Sequence, residues 1–68
     1  MATTKNIAEG FGILVRYFDD PNAYHVCAEH DIIYVSNPDN PIAEDHIKLL
    51  SHIGWTYDED EEHWYVFG

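Results

Sequence analysis

Five consecutive acids, Asp58-Glu59-Asp60-Glu61-Glu62, stand between two aromatic segments, Trp55 to Tyr57 and His63 to Phe67. A run of unpaired carboxylates cannot enter a core, because desolvating each one costs more than a small domain can offset. The run therefore faces water, and its flanks, rich in Trp, Tyr, Val and Phe, have the composition of strands. The spacing predicts a hairpin with strands over Trp55 to Asp58 and His63 to Phe67, joined by an acidic loop of about three to five residues. Alternation along the last strand sends Trp64 and Val66 to one face and Tyr65 and Phe67 to the other.

Upstream, Asn40 before Pro41 places a capping side chain ahead of a proline suited to a first helical position. Glu44 and Asp45 follow in the first turn, Ile47, Leu50 and Ile53 form an apolar stripe, His52 lies near the end and Gly54 suits the C-terminal cap. A helix over Pro41 to Ile53 is expected. Asp31-Ile32-Ile33-Tyr34-Val35-Ser36 is β-branched and aromatic and stops at Asn37-Pro38, so it reads as a buried strand. Ile7, Phe11, Leu14, Val15 and Phe18 recur at helical spacing, and Asn6 with Glu9 supplies a cap and an acid, which predicts a helix from Ala8 to Phe18. A strand reading competes there. Phe11, Ile13, Val15 and Tyr17 also alternate, and Gly10 and Gly12 each cost a helix roughly 1 kcal/mol. From Asp19-Asp20-Pro21-Asn22 to His30 no period is visible, and a loop is expected.

The order helix, strand, helix, strand, strand predicts a two-layer α+β domain. Its sheet is small, three-stranded and mixed, with a right-handed parallel crossover through the second helix, an antiparallel final hairpin and both helices on one face. Residues 1–68 read as a single small acidic domain with one core, at a size where stability is marginal.

Charge narrows function more than fold. Thirteen acids against Lys5, Arg16 and Lys48 leave a net charge of −10, whereas hydrophobic residues make up 46% and aromatics 15% of the chain. That apolar content separates it from disordered acidic tails. The outward negative potential favours basic surfaces as partners and opposes nucleic acid as a direct ligand, since phosphate binding needs Lys and Arg. A chain of this size has an accessible surface of roughly 4,400 Å². A standard interface covers about 800 Å² of one partner, nearly a fifth of it, which leaves little room for a deep substrate pocket. A binding protein is expected rather than an enzyme. Met1 to Asn6 has no basic start leading into an apolar stretch, no segment has the length of a membrane span, and the lone Cys27 gives no intrachain disulfide. A cytoplasmic monomer without a membrane partner or cofactor is expected.

The strand Asp31 to Val35, the helix exit Leu49-Leu50 with Ile53-Gly54-Trp55, the acidic turn and Trp64-Tyr65-Val66-Phe67 together resemble a family of small acidic phage and prophage proteins. The likeness covers roughly the last two thirds of the chain. Some proteins of that type are anti-CRISPR inhibitors, so the resemblance implies an inhibitor of the nucleic-acid-mimic kind whose partner is a basic nucleic-acid-binding protein such as a CRISPR effector complex. The quoted positions define a fold and carry no catalytic signature.

For the mimic reading the contact residues are Asp58, Glu59, Asp60, Glu61 and Glu62, supported by Asp39, Glu44 and Asp45, with Trp64 as an aromatic anchor. In an extended segment carboxylates would follow at about 3.3 Å, close to the phosphate spacing along one DNA strand. A solvated loop that merely keeps the protein dispersed is the plainer alternative. The aromatics Trp55, Tyr57, Trp64, Tyr65 and Phe67 supply either a core or an interaction surface, the second making the chain an adaptor that docks through its sheet face. His25, Cys27 and His30 have zinc-ligand chemistry, but H-x-C-x2-H is not a paired ligand spacing, and no metal is expected. Glu29 and Asp31 beside Cys27 disfavour a reactive thiolate, so a buried, inert cysteine is expected.

Overall fold

The computed structural model describes residues 2–67. It contains α1 (Thr4–Leu14) with a 3-10 turn at Val15–Tyr17, β1 (Val26–Glu29), β2 (Ile32–Ser36), α2 (Glu44–His52), β3 (Thr56–Asp58) and β4 (His63–Phe67). The sheet has four strands in the order β1-β2-β4-β3, each pair antiparallel. The α+β class and the terminal hairpin match expectation. The three-stranded mixed sheet does not.

Two elements account for the difference. The expected loop before His30 contains β1, which pairs Val26 with Val35 and Glu29 with Ile32 and turns through His30, held at φ 55°. All four β1 residues are exposed, as on an edge strand. A strand wetted on both faces has no burial to impose an alternating pattern, so its sequence carries no period. The second element is β3, expected beside β2 through a parallel crossover. The central place instead goes to β4, whose five residues align with all five of β2 and set Val66 against Ile33 and Trp64 against Val35. The three-residue β3 offers the core only Tyr57, so the longer apolar strand takes the middle and β3 becomes an edge.

The core comprises Ile13, Leu14 and Phe18 from the first helical segment, Leu50 and Ile53 from α2 and its cap, Trp55, and Val35, Trp64 and Val66 from the sheet. Both helices thus pack on the face that carries Val35, Trp64 and Val66. Of the expected α1 stripe, Leu14 and Phe18 are buried, Ile7 and Phe11 pack at the margin, and Val15 is exposed in favour of Ile13.

Both helix starts differ from the local reading because side chains found tertiary partners. The cap of α1 is Thr3, whose Oγ1 accepts from the Asn6 N–H at 3.1 Å, and Asn6 lies inside the helix. In place of Pro41, α2 begins at Glu44 after Ala43. Asn40 instead donates from Nδ2 to the Tyr17 carbonyl at 3.0 Å and to Asp19 Oδ1 at 2.9 Å. The Tyr17 hydroxyl accepts from the Ala43 N–H at 3.3 Å and meets His46 Nδ1, which ties the 3-10 turn to the start of α2. The C-terminal end of α2 is as expected. Gly54 sits at φ 100°, its N–H reaches the Ser51 carbonyl at 3.2 Å, and the Trp55 N–H reaches Leu50 at 2.9 Å. These bonds close a left-handed glycine cap that aims Trp55 into the core.

Trp55 explains why a helix tolerates Gly10. The indole lies against α1, donates from Nε1 to the Asn6 carbonyl at 3.1 Å and meets Phe11 edge-on at 5.5 Å. A Cβ on Gly10 would stand 2.0 Å from Trp55 Nε1, whereas one on Gly12 would meet nothing within 4 Å. Gly10→Ala is therefore expected to destabilise by about 1–3 kcal/mol through overpacking, net of its helix gain. Gly12→Ala is expected to stabilise by about 0.5–1 kcal/mol. Urea-unfolding midpoints check the pair, and shifts of the same sign would contradict this packing.

Candidate protein-binding surface

Residues 59–62 form the tip of the β3–β4 hairpin, and all four are exposed. The run is not extended, so its charges form a compact knob rather than a phosphate-spaced line. Asp58 makes the turn: its Oδ1 accepts from the Asp60 N–H at 3.0 Å and the Glu61 N–H at 3.3 Å, and Glu62 completes it at φ 55°. The Asp58 carboxylate thus has a structural task that the other four acids lack. Its Oδ2 stands 4.0 Å from His63 Nε2.

The ion pairs with Lys among the described residues are Lys5 with Glu9 and Lys48 with Glu44, each one helical turn apart and exposed. Neither involves residues 59–62. Of the supporting acids, Glu44 and Asp45 occupy the first turn of α2, where the positive end of the helix dipole stabilises their charge. Asp39 accepts the Asp19 N–H on Oδ2 at 2.9 Å and so belongs to the connection that holds Tyr17 and Asn40. Trp64 is only 5% exposed and packs in the core, which corrects its expected role as a contact residue. Trp55 is likewise core, and Tyr57 packs at the core margin.

The sheet face away from the helices carries a different set of groups. In strand register Cys27, Tyr34, Tyr65 and Thr56 form one row across the sheet, Glu29, Ile32 and Phe67 a second, and Ser36, His63 and Asp58 a third. Tyr34 meets His63 edge-on at 4.7 Å, and Tyr65 meets Phe67 edge-on at 5.7 Å. Tyr34 and Tyr65 are half-buried and Phe67 is 51% exposed, so Tyr65 and Phe67 take the outward positions that alternation assigns. Cys27 is exposed on this face, not buried as expected. An open hollow of about 500 Å³ is lined by Cys27, Glu29, Tyr34, Asp58, Glu61 and His63. Through Glu61 and Asp58 the acidic turn and the aromatic face form one continuous surface.

The sequence reading missed Glu29, Tyr34 and His63 as parts of this surface. Period-two alternation in β2 and β4 carries the signal for Tyr34 and His63, but Glu29 enters only because β1 pairs with β2. His25 lies elsewhere, stacked on Phe18 at 3.8 Å with Nε2 2.9 Å from the Asp20 carbonyl, and His30 occupies the β1–β2 turn. No group of three or more His, Cys, Asp or Glu among the described residues is arranged to hold a metal ion. No helix among them is long and apolar enough to cross a membrane. Comparison with protein-family models, curated proteins and solved structures finds no match to this chain.

Proposed function

We propose that this chain is a non-enzymatic inhibitor that occupies a basic, nucleic-acid-binding surface of a host protein by presenting carboxylates where phosphates would sit. On this reading its setting is the phage-type anti-CRISPR class, and the target is a CRISPR effector complex in the host cytoplasm. One observation carries the proposal: Glu59, Asp60, Glu61 and Glu62 project together from a hairpin tip with no lysine or arginine paired to them among the described residues. Like charges so concentrated repel one another, and a basic groove relieves that repulsion as it binds. The mimicry is of a patch of charge rather than of a strand, because the turn gathers the acids into a knob.

A second reading, an adaptor that docks through its sheet face, is favoured by the outward Tyr65 and Phe67. The two differ in salt dependence and in what they displace. For the inhibitor, purified protein is expected to release labelled DNA from a CRISPR effector complex. Its affinity is expected to fall by about tenfold or more between roughly 50 and 200 mM salt. Fluorescence anisotropy measures both. Simultaneous binding of protein and saturating DNA, or affinity indifferent to salt, would replace the inhibitor reading with the adaptor.

A further inference from the structure

We infer that the hollow between the acidic turn and the aromatic sheet face is an arginine-reading site, which selects guanidinium over ammonium groups on the basic partner. The inference rests on the proposed function in taking that partner to be basic, and it names the side chain that is recognised.

The occupant follows from the groups that converge there. Glu29 from β1, Asp58 from β3 and Glu61 from the turn line one open hollow, three acidic residues from three segments, together with the ring of Tyr34 and with His63. An apolar occupant would leave those carboxylates desolvated and unpaired, and an anion would be repelled. A cation fits, and the aromatic ring decides which. Guanidinium is planar and weakly hydrated, stacks on rings, and offers a fork of donors to carboxylates. Ammonium is a compact, strongly hydrated point charge that gains from the acids but less from the rings. The adjoining row continues the same surface, since Tyr65 stands opposite Tyr34 and Phe67 opposite Ile32. Extended basic chain laid along this face would therefore meet rings under its side-chain stems and carboxylates around its charged ends. A second copy of this chain fits poorly, because each copy carries a net charge of −10.

The test titrates the full chain with a capped hexa-arginine peptide and, separately, a capped hexa-lysine peptide. Calorimetry gives the affinities, and NMR gives the ring resonances of Tyr34, His63 and Tyr65. The arginine peptide is expected to bind about fivefold or more tightly than the lysine peptide and to shift all three rings. Tyr34→Leu is expected to remove that preference while leaving lysine-peptide binding in place, and Glu29→Gln, on an exposed edge, to weaken the arginine peptide without touching the core. Equal affinity for the two peptides, or shifts confined to residues 59–62, would overturn the arginine site and leave the charge-driven inhibitor standing. Failure of both peptides to bind would overturn the arginine site and the charge-driven inhibitor together. The wild-type ring shifts decide the matter even where a variant does not fold.

Discussion

Trp55→Ala is expected to abolish cooperative folding. The side chain is 1% exposed and sits where the α2 cap, α1 and the sheet converge. Truncating a buried tryptophan costs about 3–5 kcal/mol. A single-core domain of this size has only about 3–5 kcal/mol of stability in total. The loss also strips the Asn6 carbonyl of the indole N–H and leaves Phe11 without its edge-on partner. Near-ultraviolet circular dichroism and a thermal melt measure the outcome: a flat, non-cooperative melt is expected. A sharp transition within about 1 kcal/mol of wild type would mean that the core does not centre on Trp55.

If the chain acts as proposed, reversing the hairpin tip is expected to abolish inhibition while the fold survives. Each Asp or Glu to Lys change shifts the charge by two, so replacing Glu59, Asp60, Glu61 and Glu62 takes the net charge from −10 to about −2. Asp58 stays, because its Oδ1 holds the turn through the Asp60 and Glu61 N–H groups, which any side chain at those positions retains. Relief of like-charge repulsion is expected to raise the melting temperature at low salt, and the gain is expected to shrink as salt screens the wild type. At a basic groove the new lysines repel where the acids attracted, so DNA displacement is expected to fall by about 100-fold or more. A variant that melts higher and still displaces DNA as well as wild type would remove the turn from the functional surface. Asp58→Lys is the contrasting case, in which the turn itself loosens.

Much of this was legible because local chemistry was decisive. The Gly54 cap needed only a residue at ease with positive φ after an apolar stripe, and Ile53-Gly54-Trp55 announces it. The final hairpin needed only two aromatic segments around a run of charge that must face water. Reading failed where a group had a distant competitor. Asn40 has the local signature of a helix cap, yet Tyr17 and Asp19, more than 20 residues earlier in the chain, supply its hydrogen-bond partners. Gly10 looked like a cost to α1 until the indole of Trp55, far along the chain, occupied the space above it.

The candidate surface divides in the same way. The acid run, its exposure and the outward alternation of Tyr65 and Phe67 follow from the sequence alone, because they depend on the charge of neighbours and the two-residue period of a strand. Strand order does not. Whether β3 or β4 lies beside β2 is settled by which strand offers the core more apolar side chains over a matching length, a comparison made only once the helices have covered one face. That choice brings Asp58 and Glu61 round to Tyr34, and the pairing of β1 adds Glu29. An acidic α+β domain with a charged hairpin is written in local residue chemistry; the sharing of one surface by its acidic residues and its rings arises only on folding, because antiparallel register across β1, β2 and β4 places residues from distant segments side by side.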